Sequence, residues 1–81
     1  MNTDRIKDLA VSPTGFVFDP LTGNSYSVSE TGLFILDEIK RGGDERTVLA
    51  AMLESFDVTR DEAEEDLRDF LSILSAEHLL S

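Results

Sequence analysis

At Ser29 the spacing of apolar residues changes from two to between three and four, and that switch restricts the chain to strands followed by helices. Before it, Leu9 and Val11 sit two apart, and Phe16-Val17-Phe18 follows a Ser12-Pro13-Thr14-Gly15 turn. Asn24-Ser25-Tyr26-Ser27-Val28 then alternates polar and apolar. Asp19-Pro20-Leu21-Thr22-Gly23 is turn chemistry throughout, because Pro20 presets φ and Gly23 tolerates a positive one. The pattern predicts three short strands, about 6–11, 16–19 and 24–28, in an antiparallel meander with the Phe16 strand central. Tyr26 and Val28 then share one face, and Ser25 and Ser27 the other.

After the switch, Ser29 is a good N-cap with Glu30 placed favourably against the helix dipole. Leu33, Phe34, Leu36 and Ile39 recur at helical spacing until Gly42-Gly43 stops the helix. Asp44 caps a second helix that buries Val48, Leu49, Met52, Leu53 and Phe56. Thr59-Arg60-Asp61-Glu62 has the capping-box pattern and opens a third helix that buries Ala63, Leu67, Phe70, Leu71 and Leu74. The predicted helices span about 30–41, 45–56 and 60–76, with Leu79 and Leu80 closing over the core. The fold class is α+β, one layer of sheet under a small helical bundle. Phe16, Phe18, Phe34, Phe56 and Phe70 are read as core.

Eighty-one residues make one domain, 1–81, with a modest core. Without cysteine there is neither a disulfide nor a thiolate metal site. A net charge of −10 and seven scattered basic residues disfavour nucleic acid and anionic lipid. The start, Met1-Asn2-Thr3-Asp4-Arg5, lacks signal-peptide character and no apolar run approaches a membrane span, so the expected compartment is the cytoplasm. His78 has no serine or aspartate at triad-like spacing. Gly15, Gly23 and Gly32 make no phosphate loop, and Glu64-Glu65-Asp66 point to different helix faces. No catalytic residue, cofactor site or metal site is read from the sequence.

Several motifs, in their order and spacing, resemble one family. They are Phe18-Asp19-Pro20-Leu21-Thr22-Gly23, Tyr26-Ser27-Val28-Ser29-Glu30-Thr31-Gly32, Phe56-Asp57-Val58-Thr59 and Asp61-Glu62-Ala63-Glu64-Glu65-Asp66-Leu67. The chain resembles the PqqD-like proteins, recognition elements for ribosomally made, post-translationally modified peptides. Glu30 departs from a proline common there, which alters a helix start. The resemblance implies a winged helix-turn-helix-like domain without catalytic residues. It implies a leader peptide that adds as a strand beside the third strand and lies against the third helix. A separate modifying enzyme, most often radical SAM, then acts on the presented peptide.

The edges of the meander carry the same expectation by another route. Free edges are usually blunted by charge or proline. The first strand has Arg5, Lys7 and Asp8, whereas the third is uncharged and open to strand addition. On the third helix Ile73 falls beside the core face among Glu62, Asp66 and Asp69, which suits a groove for an apolar anchor with a basic neighbour. The expected peptide-binding residues are therefore Asn24, Ser25, Tyr26, Ser27 and Val28 on the strand, with Glu62, Asp66, Asp69, Phe70 and Ile73 on the helix.

Rival readings are an adaptor that contacts only the modifying enzyme and a recognition protein for lasso-type maturation. Remote alternatives are an acyl carrier protein, which the alternating first 28 residues disfavour, and a winged-helix DNA binder, which the acidic third helix disfavours. The chain is expected to be a monomer whose open edge permits a strand-paired or swapped dimer.

Overall fold

The computed structural model describes residues 2–80, so Met1 and Ser81, the ends of the expected unit, lie outside the described residues. A helical turn, α1 (Asp4–Lys7), precedes β1 (Ala10–Val11), β2 (Phe16–Phe18) and β3 (Ser25–Ser27). Three longer helices follow: α2 (Glu30–Lys40), α3 (Glu45–Ser55) and α4 (Arg60–Ala76). The strands pair antiparallel in the order β1-β2-β3, and the α+β order of meander then helices is the one expected.

The expected first strand over 6–11 is corrected. Residues 4–7 are helical, and only Ala10 and Val11 pair with β2. Ile6 and Leu9 are three apart and both buried, which a helical turn permits and strand alternation forbids. Arg5, Lys7 and Asp8 consequently guard no sheet edge. The guanidinium of Arg5 instead reaches the Asp19 carboxylate, and the Lys40 ammonium donates to the carbonyl of Leu9, tying α2 to the end of α1.

Asp19 is 1% exposed and organises the hairpin between β2 and β3. Its Oδ1 accepts from the Leu21 amide at 3.0 Å, and its main chain bonds to Asn24 and Gly23 at 2.8 Å each. Burial pushes the Asp19 carboxyl up, but the Leu21 amide, the Thr22 hydroxyl and Arg5 together outweigh it and hold it below the usual range. At the other end of the hairpin Gly15 has φ +91°, and a Cβ there would meet the Val28 carbonyl oxygen at 2.7 Å.

Each long helix starts on its expected cap. Ser29 Oγ accepts from the Gly32 amide, Asp44 Oδ1 from the Thr47 amide, and Thr59 with Glu62 closes both bonds of a capping box. The Asp44 carboxyl is held low by those bonds to Thr47, foremost the backbone one. α2 and α4 stop in the same way. Gly43 donates to Glu38 and Gly42 to Ile39, while Leu79 donates to Leu74 and His78 to Ser75. Both ends are Schellman motifs, with Gly42 at φ +96° in one and His78 at φ 60° in the other.

The core joins Ile6, Val17, Leu36, Ile39, Val48 and Met52 to Ala63, Leu67 and Leu74 of α4, and Leu79 seals it as expected. Phe34 and Phe56 are half-buried and meet edge to face at 5.0 Å. Phe16 and Phe18 contradict their reading as core, being 53% and 42% exposed. Val17 takes the inward position of β2, so both of its neighbours must face out.

Two outcomes follow from these anchors. Replacing His78 by Gly removes the cost of a left-handed side-chain residue and should raise unfolding stability by about 1 kcal/mol in urea titrations. Asp19→Asn should lower stability at neutral pH, because the depressed carboxyl stabilises the fold wherever it is ionised. The gap to the parent should narrow as pH falls below about 4, where the unfolded carboxyl binds its proton first.

Candidate functional site

β1 and β3 are the two outer strands of the sheet. The edge of β3 is the one that lies beside α4, and its hydrogen-bonding parity is set by the pairs around it. Asp19 donates to Asn24, and Val28 donates to Gly15, each at 2.8 Å. Residues 24, 26 and 28 therefore turn their main-chain groups toward β2, where Tyr26 faces Val17. The amides and carbonyls of Ser25 and Ser27 point the other way, to the open edge. Their side chains lie on the outer face of the sheet, and both residues are exposed.

Tyr26 and Val28 face inward toward α4, and between them and that helix runs a groove in two parts. The apolar part encloses about 240 Å³ and is walled by Tyr26 and Val28, by Leu36 below, and by Phe70, Ile73 and Leu79. The second part, also about 240 Å³, continues past Phe70 and Ile73 to Ser29, Thr31, Gly32, Asp66 and Asp69. Ile73 is 58% exposed and stands on the lip shared by both. The first part is mostly apolar with Glu77 as its carboxylate, and the second carries Asp66 and Asp69.

Most of the residues expected at the site converge here. Tyr26, Ser27, Val28, Phe70 and Ile73 line the apolar part, and Asp66 and Asp69 the acidic part, while Ser25 contributes edge groups. Two stand apart. Glu62 spends its carboxylate on the Thr59 amide and hydroxyl, at 3.2 and 2.9 Å, and does not line the groove. Asn24 precedes β3 and is bound into the hairpin turn, donating to Thr22 at 3.2 Å. The capping-box pattern already contained the signal that Glu62 was engaged.

Sequence reasoning missed Leu36, Leu79 and Gly32 as groove residues. A Cβ on Gly32 would lie 2.8 Å from a carbon of the Phe70 ring, so α2 and α4 approach closely only because this position is bare. Leu79 enters the wall through the left-handed turn at His78. Neither relation is visible without the fold. Among the described residues no three His, Asp or Glu side chains gather to hold a metal ion. No helix there is long and apolar enough to cross a membrane.

An open strand edge above a largely apolar groove on a small α+β domain is a geometry that strand addition can use. Residues 15–80 match the family described as coenzyme PQQ synthesis protein D (PqqD), and the chain belongs to that family. Among solved structures it is similar to TbiB1 in complex with the TbiA(beta) leader peptide. That likeness has 26% identity and a TM-score of 0.79, over 90% of this chain and 86% of that one. No curated protein sequence matches significantly.

The Gly32 contact sets one outcome. Gly32→Ala should push the Phe70 ring into the groove at an overpacking cost of about 1–3 kcal/mol. Thermal unfolding would measure the loss, and aromatic NMR shifts of Phe70 would show the displacement.

Proposed function

We propose that this protein captures the leader segment of a ribosomally made precursor peptide along β3 and presents it to a separate modifying enzyme, without catalysis of its own. One observation carries the reading: the unpaired main-chain groups of Ser25 and Ser27 lie directly beside the two-part groove. A peptide added there as a strand bonds to those groups and drops alternate side chains into the groove. Membership of the PqqD family and likeness to a leader-bound structure support the same reading.

The groove favours a leader of a particular make-up. An apolar side chain fills the space between Tyr26, Leu36 and Phe70, and a Lys or Arg nearby meets Asp66 and Asp69. The family resemblance favours a radical SAM enzyme as the partner that modifies the peptide, with the complex formed in the cytoplasm by a monomer of this chain.

The test is a titration of the ¹⁵N-labelled protein with a synthetic leader taken from a precursor peptide encoded beside its gene. Ser27→Pro removes an amide that β2 does not use, so the fold should survive while affinity falls at least about tenfold, the loss expected for a main-chain bond and the blocked register around it. Ser27→Ala should bind within about twofold of the parent, since its main chain is intact. Asp66→Asn with Asp69→Asn should weaken binding about three- to tenfold at low salt, and the difference should vanish in high salt. Equal binding by Ser27→Pro would sink strand addition, and shifts confined to surfaces away from β3 and α4 would favour an enzyme-only adaptor.

A further inference from the structure

A second groove, of about 580 Å³, lies between α3 and α4 and shares no lining residue with the one above. Its floor is Leu49, Leu67 and Leu71, and its rim carries Arg46, Arg60 and Arg68. Three of the seven basic residues of a chain with seventeen acidic ones therefore border a single apolar trough. Glu45 and Glu64 also reach the rim, and Glu64 accepts from Arg60 at 3.0 Å. Arg46 and Arg68 form no ion pair among the described residues.

α4 is the wall between the two grooves, and both of its arginines lie on one flank, where Arg68 also borders Asp61, Glu65 and Asp69. At about 100° per residue, Arg60, Glu64, Arg68 and Leu71 occupy one flank, and Asp66, Asp69 and Ile73 lie about half a turn away. The core stripe of Ala63, Leu67 and Leu74 separates them on the inner side. Both walls of the second groove are helices, so no strand edge is offered there. Recognition must come from side chains, which is how a third helix packs into the trough between two others.

We infer that the α3–α4 groove docks an amphipathic helix of a second protein, with an apolar ridge on Leu49, Leu67 and Leu71 and Asp or Glu beside it on Arg46 and Arg68. Charge complementarity selects this occupant. A net charge of −10 repels an acidic partner over most of the surface, and this trough is where such a partner finds guanidiniums. A second copy that offered the acidic flank of α4 would make a heterologous contact, which builds rings or open chains rather than a two-fold dimer. Because α4 stands between the grooves, the docked helix leaves β3 and its groove free.

The probe is a synthetic helix of about 14 residues with Leu at alternating three- and four-residue spacing and Glu on both borders, alongside a twin with Gln for every Glu. Each is titrated into the ¹⁵N-labelled full chain. The Glu peptide should shift amides of Glu45–Leu49 and Arg60–Leu71 and bind at least about fivefold tighter than its twin in low salt, a preference that high salt removes. Arg46→Gln with Arg68→Gln, both exposed positions, should abolish the preference while circular dichroism stays unchanged. Equal binding of the twins, shifts at β3, or no binding near 1 mM (roughly the weakest affinity worth the name) would overturn the inference. So would self-association in sedimentation that the double variant removes, which would assign the groove to a second copy. No leader peptide enters this test, so its failure leaves peptide capture untouched, and the reverse holds as well.

Discussion

The buried carboxylate of Asp19 is the interaction on which the open edge depends. It holds α1 through Arg5 and shapes the turn into β3 through the Leu21 amide, while its main chain closes the hairpin on Asn24 and Gly23. A three-residue strand such as β3 has little stability alone. Its position is imposed from both ends, by Asp19 before it and by the Gly15–Val28 contact after it. The parity of its free groups is inherited from those two anchors. β-Branched residues would hold the strand better and charged ones would blunt its edge; Ser25 and Ser27 do neither.

What the sequence made legible was local. Ser29, Asp44 and the Thr59–Glu62 pair could be read as caps because each satisfies amides within three residues of itself. The charge-bordered position of Ile73 was legible for a similar reason, since helical angle alone places it. The first element was misread because Leu9 and Val11 suggested alternation, whereas burial of Ile6 with Leu9 decided it. Phe16 and Phe18 were misread because every position of β2 is apolar, so composition could not say which face looked inward. The bare Gly32 beneath Phe70 could not be anticipated, because that contact spans two helices and thirty-eight positions.

Charge disfavours nucleic acid as a ligand of this fold. α4 carries six carboxylates, Asp61, Glu62, Glu64, Glu65, Asp66 and Asp69, against Arg60 and Arg68. A phosphate backbone would meet a repulsive surface at the helix a DNA reader uses for docking. The same acids are not uniform in their duties. Glu62 caps the helix and Glu64 neutralises Arg60, while Asp66 and Asp69 have no partner among the described residues and line the groove beside β3. Fold alone therefore says little about the ligand, and the sorting of free and engaged charges says more.

Magnitudes decide how a peptide on β3 would be held. Ser25 and Ser27 offer two amides and two carbonyls to an added strand. At a net 0.5–1.5 kcal/mol for each bond, all four together contribute only about 2–6 kcal/mol. Association itself costs about 4–15 kcal/mol in lost freedom of motion, so the strand edge by itself would scarcely retain a peptide. The balance must come from apolar surface. A Leu- or Phe-sized side chain buried among Tyr26, Leu36 and Phe70 contributes about 1.5–3 kcal/mol, and a second against Ile73 and Leu79 a similar amount. For a peptide bound in the proposed way, the edge would therefore set register and the groove affinity. Main-chain bonds are indifferent to sequence, so discrimination between peptides would fall to the groove as well, with Ile73 and the carboxylates of Asp66 and Asp69 on its lip.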